Sequence, residues 1–351
     1  MFRYKKHILI LMVAFMLLNV ASCVPAHKIT IATVDGEKIS KEEFIYFLTS
    51  VKNQIESEHV KSVKNQTEGE HGSDLPEDFW ETTEIDGKKI IETAKEKALE
   101  EAVKSKISRK KAIELGLKIS SQQRKEINET IGEFVAKHGS SGVDEYLSQF
   151  GLNRALFEKV LEDDYYRQNL SQEVVASVGE EQAEEFFNNK IVRVKHILIL
   201  SMDETTGQPL EAQQLENAKI KADDLLAKAK SGENFDSLVE QYSEDPGSKS
   251  MPEGYYLGKG FVLGSQGGMV PSFETASFEL DVDEVSDIVE TDYGFHIIKR
   301  YQNDKAIYQQ HADEILAHAK KDKFEEVLDN WKNEAKIEKN EKEYGQIKIN
   351  K

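Results

Sequence analysis

The stretches VRVKHILIL at residues 192–200 and FHIIKRY at residues 295–301 specify the C-terminal part of this chain. Both are rich in β-branched and aromatic residues, which predicts two strands. The residues between them predict helices over 211–230 and 271–280, separated by glycine-rich turns. Strands and helices mixed in this way indicate an α+β fold.

The chain before these strands predicts a mostly helical region that opens with one strand. Residues 29–34, ITIATV, alternate as a strand does. Ser40 and Glu43 have the spacing of a capping box at the start of a helix. Residues 56–88 are charged and poor in apolar residues, which predicts a long excursion or linker before further helices.

The N-terminus has the pattern of a bacterial lipoprotein signal. Three basic residues among the first six precede an apolar run over residues 8–18. The run is shorter than the ~20 residues that a membrane-spanning helix needs. It leads to VASC, a lipobox that ends in Cys23, the only cysteine of the chain. We therefore expect cleavage before Cys23 and lipidation of its thiol; the alternative is an ordinary signal peptide in which Cys23 is incidental.

The composition excludes one class of partner. The chain has 46 basic and 64 acidic residues and a net charge of −18, which becomes −21 without residues 1–22. Such a chain repels nucleic acid, so we expect no nucleic-acid partner. With Cys23 lipidated, no thiol is left for a disulfide, and stability must come from apolar burial.

Two histidines lie in the predicted strands, His196 in the first and His296 in the second. Each is flanked by apolar residues, which predicts that each ring points into the domain. A single inward histidine is more often a core residue than a catalytic one. A pair close to the acidic segment Ser243-Glu244-Asp245 favours an organised polar network. These residues alone are compatible with a structural role and with a catalytic role.

Four ordered blocks within residues 192–301 resemble the parvulin-type peptidyl-prolyl isomerase domain. They are VRVKHILI, FDSLVEQYSEDPGSKS, GGMVPSFETASFEL and VSDIVETDYGFHIIKR. The segment ITIATVDGEKISKEEF resembles the start of the SurA/PrsA-type chaperone domain, and the whole order is similar to membrane-anchored foldase lipoproteins of the PrsA type. The resemblance implies an α+β protein with a mostly helical chaperone domain and a small parvulin domain, whose antiparallel-rich sheet is flanked by helices.

The same resemblance implies a division of the chain into four segments. They are a lipoprotein signal peptide at 1–22, a SurA/PrsA-like chaperone domain at 23–190, a parvulin-type isomerase domain at 191–302, and a C-terminal helical segment at 303–351 that packs back on the chaperone domain. The implied activity is cis–trans isomerisation of X-Pro bonds, with neither cofactor nor metal. The implied partners are unfolded or partly folded exported proteins, met outside the cytoplasm by a protein anchored through Cys23 to a bacterial membrane, in keeping with a Gram-positive cell membrane.

Four polar residues match the catalytic positions of the family. His196 and His296 match its paired histidines, Thr291 matches the hydroxyl that supports the pair, and Asp245 matches the acidic-or-cysteine position after the second helix. The reaction cleaves no bond and needs no nucleophile. We expect Asp245, in an exposed loop, to shape the field near the substrate carbonyl. We expect hydrogen bonds to orient the histidines, and Thr291 to fix a tautomer.

Three apolar residues match the wall that receives the proline ring: Leu257, Met269 and Phe273. The family commonly has Gly-Gly-Asp-Leu-Gly where this chain has Gly254-Tyr255-Tyr256-Leu257-Gly258. This departure motivates a rival hypothesis, a holdase chaperone with an inactive parvulin domain; a third is a lipoprotein scaffold for one partner. Residues 201–204 lack the basic cluster of phosphoserine-proline-specific members, so we expect no phospho-specificity.

Overall fold

The computed structural model describes residues 29–66, 75–76, 78–85, 87–203 and 206–348. The predicted signal peptide and Cys23 lie outside the described residues. Within the described ranges, no helix is both long enough and apolar enough to cross a membrane.

The N-terminal part is a helical assembly with two small pairs of strands. Its elements are β1 (Thr30–Val34), β2 (Glu37–Ser40), α1 (Lys41–Gln66), α2 (Phe79–Thr82), β3 (Glu84–Ile85), β4 (Lys88–Lys89), α3 (Ile90–Glu114), α4 (Ser121–Ser148), α5 (Arg154–Val174) and α6 (Glu180–Lys190). The first strand is confirmed. It turns into β2 through Asp35 and Gly36, which both have positive φ, +51° and +84°, as a tight hairpin turn requires.

The predicted linker over residues 56–88 is wrong in part, because residues 56–66 continue α1. The Nε1–H of Trp80 donates a hydrogen bond of 2.9 Å to Oε1 of Glu56. Ile55 and Trp80 both pack against the main apolar cluster of the helical part. The segment therefore gains its order from tertiary contacts that its charged sequence does not indicate.

The predicted capping box forms at the start of α1. Oγ of Ser40 accepts from the N–H of Glu43 at 3.2 Å, and Oε2 of Glu43 accepts from the N–H of Ser40 at 2.9 Å. Oε1 of Glu43 accepts from Lys106 on α3 and Lys159 on α5, each at 2.9 Å. Burial opposes ionisation of Glu43, but the two lysines and the Ser40 amide outweigh it and lower the pKa of this carboxyl. One carboxylate therefore joins three helices.

The C-terminal part contains a five-stranded sheet with helices on its faces. Its elements are β5 (Val192–Leu200), α7 (Ala212–Lys230), α8 (Phe235–Tyr242), α9 (Pro246–Ser250), β6 (Tyr255–Gly258), β7 (Phe261–Val262), α10 (Pro271–Glu279), β8 (Val289–Thr291) and β9 (Gly294–Tyr301). The strand order is β7-β6-β5-β9-β8, and every neighbouring pair is antiparallel. The predicted α+β fold with an antiparallel-rich sheet is confirmed.

The register of β5 against β9 places both histidines on one face of this sheet. His196 lies opposite Ile298, and Leu198 lies opposite His296. Because side chains alternate along a strand, the two histidines are diagonal neighbours on the same face. The other face packs on α7 and α8 through alternate apolar residues: Ile197, Ile199, Phe295 and Ile297.

The C-terminal residues return to the helical part. They form α11 (Lys305–Gln310), α12 (Ala312–Glu334), β10 (Ile337–Lys339) and α13 (Glu341–Gly345). Strand β10 pairs with β1. Nζ of Lys104 on α3 donates a hydrogen bond of 2.9 Å to Oε2 of Glu325 on α12. Tyr256 and Leu263 pack in a cluster with Ile315 of α12, so α12 contacts both the helical part and the sheet. The division of the chain at residues 190 and 302 stays a prediction.

Candidate active site

The two histidines form the centre of the candidate site. Their ring centroids are 5.3 Å apart, and His196 and His296 are 4% and 5% exposed. Among the described residues, Nδ1 of each ring is buried without a hydrogen-bond partner. No hydrogen bond joins the two rings through these nitrogens, so packing holds the rings next to each other.

Thr291 lies at the end of β8, next to the second histidine. Its Oγ1 is 2.8 Å from Nε2 of His296, and it also accepts a hydrogen bond of 3.1 Å from the N–H of Tyr293. The turn between β8 and β9 thus places this hydroxyl where the resemblance implies a support for the pair.

An apolar floor lies against the histidines. The ring of Phe273 meets His196 and His296 edge to face, at centroid distances of 5.0 and 5.2 Å. Phe273 and Leu257 are each only 1% exposed and belong to one buried cluster. Met269 is half-buried and packs against this cluster. Of the three predicted wall residues, Met269 is therefore the one with surface that a proline ring can contact.

Asp245 is not the exposed loop residue that we expected. It precedes α9, and its side chain, 16% exposed, turns back to cap that helix. Oδ1 accepts from the N–H of Gly247 at 3.0 Å. Oδ2 accepts from the hydroxyls of Ser248 at 2.8 Å and Tyr255 at 2.6 Å, and lies 3.5 Å from Nε2 of His196. The capping bonds thus turn the carboxylate inward.

Burial determines the protonation of the site. It lowers the pKa of His196 to about 4, although Asp245 opposes the shift. Burial, followed by the neighbouring His196, lowers the pKa of His296 to about 3. Burial alone would raise the pKa of Asp245, but His196 and the hydrogen bonds from Tyr255, Ser248 and the Gly247 amide outweigh it and lower that pKa. At pH 7 the site therefore contains two neutral imidazoles beside one carboxylate.

The structure brings most of the predicted site residues together. His196, His296, Thr291, Asp245 and Phe273 are linked by the contacts above; Met269 and Leu257 border them. Sequence reasoning did not select Tyr255, although the departure from Gly-Gly-Asp-Leu-Gly at residues 254–258 marked its position. In the described part of the chain, no group of three or more His, Cys, Asp or Glu residues is arranged to hold a metal ion.

Two family models match the sequence. Residues 180–304 match the PPIC-type PPIase domain, and residues 3–148 match the SurA-like N-terminal domain. The C-terminal match includes the three strands that contribute the histidines and Thr291, the start of α9 with Asp245, and the helix α10 with Phe273. The protein is thus a peptidyl-prolyl cis–trans isomerase of the parvulin type.

Curated relatives carry both parts in the same order. The foldase protein PrsA of Caldanaerobacter subterraneus subsp. tengcongensis is 28% identical over 271 residues, which cover 77% of this chain and 72% of that protein. The foldase protein PrsA of Clostridium botulinum strain Hall is 25% identical over 348 residues, which cover 90% of this chain and 89% of that protein. That of Geobacillus kaustophilus is 34% identical over 151 residues, or 42% of this chain and 46% of that protein. The chain therefore matches a SurA-like N-terminal domain followed by a PPIC-type PPIase domain, and it is similar in this order to PrsA foldases.

Solved structures of the same family are also similar. The crystal structure of PrsA from Bacillus anthracis matches with 22% identity and a TM-score of 0.33, over 72% of this chain and 99% of that chain. The crystal structure of PrsA from Bacillus cereus matches with 21% identity and a TM-score of 0.32, over 77% of this chain and 92% of that chain. The family assignment rests on the sequence matches.

Proposed function

We propose that this isomerase is a lipid-anchored foldase outside the cytoplasm, which isomerises X-Pro bonds in exported polypeptides at the site around His196 and His296. The observation that carries the proposal is the carboxylate of Asp245, fixed 3.5 Å from His196 beside a wall of apolar side chains. Lipidation of Cys23 and the exported clients belong to the same proposal. They are supported by the lipobox and by the foldase names of the relatives.

The reaction requires a site that favours a twisted amide. Rotation about a peptide bond has a barrier of roughly 18–20 kcal/mol, and the cis and trans forms of X-Pro differ by about 0.5–1 kcal/mol. A site that binds both planar forms equally well does not lower this barrier. It must bind the twisted form more tightly than either planar form.

The apolar and polar halves of the site have separate tasks. Met269 contacts the proline ring and keeps it in place while the preceding carbonyl rotates. In the planar amide, resonance places partial negative charge on the carbonyl oxygen, and twisting removes part of it. A carboxylate near this oxygen, that of Asp245, therefore repels the planar forms more than the twisted one. No proton moves, so neutral His196 and His296 act by shape and hydrogen bonding.

The histidines and Thr291 support the carboxylate of Asp245 and the ring of Phe273. Phe273 contacts both rings edge to face, and Asp245 faces His196, so a displaced ring would disturb both halves of the site. We assign His196, His296 and Thr291 this supporting role. Asp245 and Met269 contact the substrate. Leu257 and Phe273 lie below Met269 and keep it in position.

A folding assay tests the foldase proposal. A secreted protein whose refolding is limited by an X-Pro bond should refold faster in the presence of the full-length protein. Full-length protein is preferable to residues 190–303 alone, because Tyr256 and Leu263 of the sheet pack against Ile315 of α12. Suppressed aggregation without faster refolding would favour the holdase hypothesis, and a benefit restricted to one partner would favour the scaffold.

A further inference from the structure

Tyr255 places a phenol inside the candidate site, at a position where the resemblance leads one to expect glycine. The residue is 8% exposed and belongs to the apolar cluster that contains Phe273. Its ring centroid is 5.6 Å from that of His196, and its hydroxyl is 2.6 Å from Oδ2 of Asp245. The next residue, Tyr256, faces the opposite way and stacks on Phe187, with the two ring centroids 6.0 Å apart.

The backbone beside Tyr255 is shaped to receive its hydroxyl. A Cβ atom added at Gly247 would lie 1.9 Å from Oη of Tyr255 and 3.1 Å from its Cζ. Such an atom could not coexist with the phenol in its present position. The absence of a side chain at Gly247 in α9 and the presence of a phenol at Tyr255 in β6 are therefore complementary features of this chain.

We propose that Tyr255 is a positioning residue, whose hydroxyl fixes the carboxylate of Asp245 in the rotamer that faces His196. The inference rests on the proposed function, because it matters for catalysis only if Asp245 contacts the substrate. Gly247 and Ser248 bind Asp245 from within its own turn of helix. Tyr255 binds it from the sheet, and so ties the orientation of the carboxylate to the strand next to β5.

The hydrogen bond also favours the charged form of the carboxylate. Burial and the neighbouring Asp245 raise the pKa of Tyr255, so the phenol remains a donor at neutral pH. Asp245 is faced by His196 from β5, by His296 from β9, and by Tyr255 from β6. Glu244 turns away, since its carboxylate accepts from the N–H of Leu200 and from Lys221. Removal of the phenol hydroxyl must therefore raise the pKa of Asp245.

Two variants remove this bond in different ways, and a third variant is the matched control. Tyr255→Phe deletes the hydroxyl and retains the ring. Gly247→Ala retains the hydroxyl and displaces it. Tyr256→Phe deletes a hydroxyl from the neighbouring tyrosine on the other face of the strand. The pKa of Asp245 is measured in the full-length protein by carboxyl carbon NMR, with Asp245→Asn for assignment, and kcat/KM for an X-Pro peptide is measured from about pH 3 to 8, so that the window includes the acid limb.

We expect Tyr255→Phe and Gly247→Ala to raise the pKa of Asp245, to shift the acid limb of kcat/KM to higher pH, and to lower kcat/KM at pH 7 by roughly tenfold. Tyr256→Phe should change none of these. A wild-type pKa and acid limb in Tyr255→Phe would overturn the inference. If the pKa rises as expected but the wild-type protein has no isomerase activity, the positioning of Asp245 is supported and the proposed function fails.

Discussion

Oγ1 of Thr291 lies 2.8 Å from Nε2 of His296, across the turn that joins the last two strands of the sheet. Because Nδ1 of this buried ring has no partner among the described residues, the threonine hydroxyl is its principal polar contact. The orientation of His296, and of the phenylalanine and histidine rings that pack on it, therefore depends on Thr291.

Thr291→Val tests this dependence with little change of shape. It leaves a buried ring nitrogen without a partner, so we expect a loss of about 1–3 kcal/mol of stability together with reduced kcat/KM. Urea unfolding measures the first effect and a peptide assay the second. Thr291→Ser retains the hydroxyl and should stay close to wild type. Equal stability of the valine and serine variants would contradict the role of this contact.

Stability should fall as the pH drops below about 6.5. Both histidines have folded-state pKa values far below the ordinary 6.5, about 4 for His196 and about 3 for His296. Above pH 6.5 the folded and unfolded chains bind the same number of protons at these sites. Below it, the unfolded chain takes up protons that the folded chain rejects. Stability is then lost at up to about 1.4 kcal/mol per pH unit for each histidine.

Urea unfolding at pH 7.5, 6.5, 5.5 and 5.0 measures this slope. The carboxylate of Asp245 contributes only in a lower window, because its depressed pKa gives stability that is lost as the pH falls through about 4. Burial also lowers the pKa of His318, so the comparison is made in a His318→Gln background. A slope that is unchanged after replacement of His196 and His296 by glutamine would count against buried neutral histidines.

Met269 and Phe273 should respond differently to truncation. Phe273 is 1% exposed, so Phe273→Ala should cost about 3–5 kcal/mol of stability, and any loss of activity follows in part from unfolding. Met269 is half-buried, and Met269→Ala should lower kcat/KM by roughly tenfold through lost contact with the proline ring. Its melting temperature should change far less than that of Phe273→Ala.

Melting and activity must be measured on the same samples. Val282→Ala, at an apolar position that is 42% exposed, is the surface control and should change neither. Wild-type kcat/KM in Met269→Ala would remove the proposed apolar wall from the substrate site.

Cys23→Ser should release the protein from the membrane or leave it unprocessed, because the thiol that accepts the lipid is gone. Ser22→Ala is the matched control, since it retains a small residue before the cysteine, and it should remain anchored. Cell fractionation and mass spectrometry of the N-terminal peptide check both variants. An unmodified Cys23 in the mature wild-type protein would refute lipid anchoring.

The sequence predicted what depends on local patterns. The β-branched runs around His196 and His296 predicted two strands, and the spacing of Ser40 and Glu43 predicted the capping box. These features depend on residues close together in the chain, so a local pattern is sufficient. The apolar neighbours of each histidine predicted that its ring points into the domain, whereas the shared face depends on the register of β5 against β9.

The sequence did not predict what depends on distant contacts. Asp245 follows a helix and precedes Pro246, which indicates a loop; in the structure its carboxylate also accepts from a phenol ten residues away at Tyr255, in addition to the bonds that cap α9. Glu56, where α1 continues beyond the predicted linker boundary, accepts a hydrogen bond from Trp80. In each case the partner that stabilises the segment comes from another element. Hydrophobic periodicity carries no information about such a partner.

Direct measurement of X-Pro isomerisation by the full-length protein decides whether this site catalyses the reaction. The assay follows a proline-containing peptide without a coupled protease and compares wild type with Asp245→Asn, which retains an oxygen to cap α9 but removes the charge. We predict clear acceleration by the wild type and a loss of at least about tenfold in kcat/KM for Asp245→Asn, with a small fall in melting temperature because the charged acceptor of Ser248 and Tyr255 is lost. A folded wild-type protein that does not accelerate isomerisation, or an Asp245→Asn variant as active as wild type, would contradict the assignment of this site.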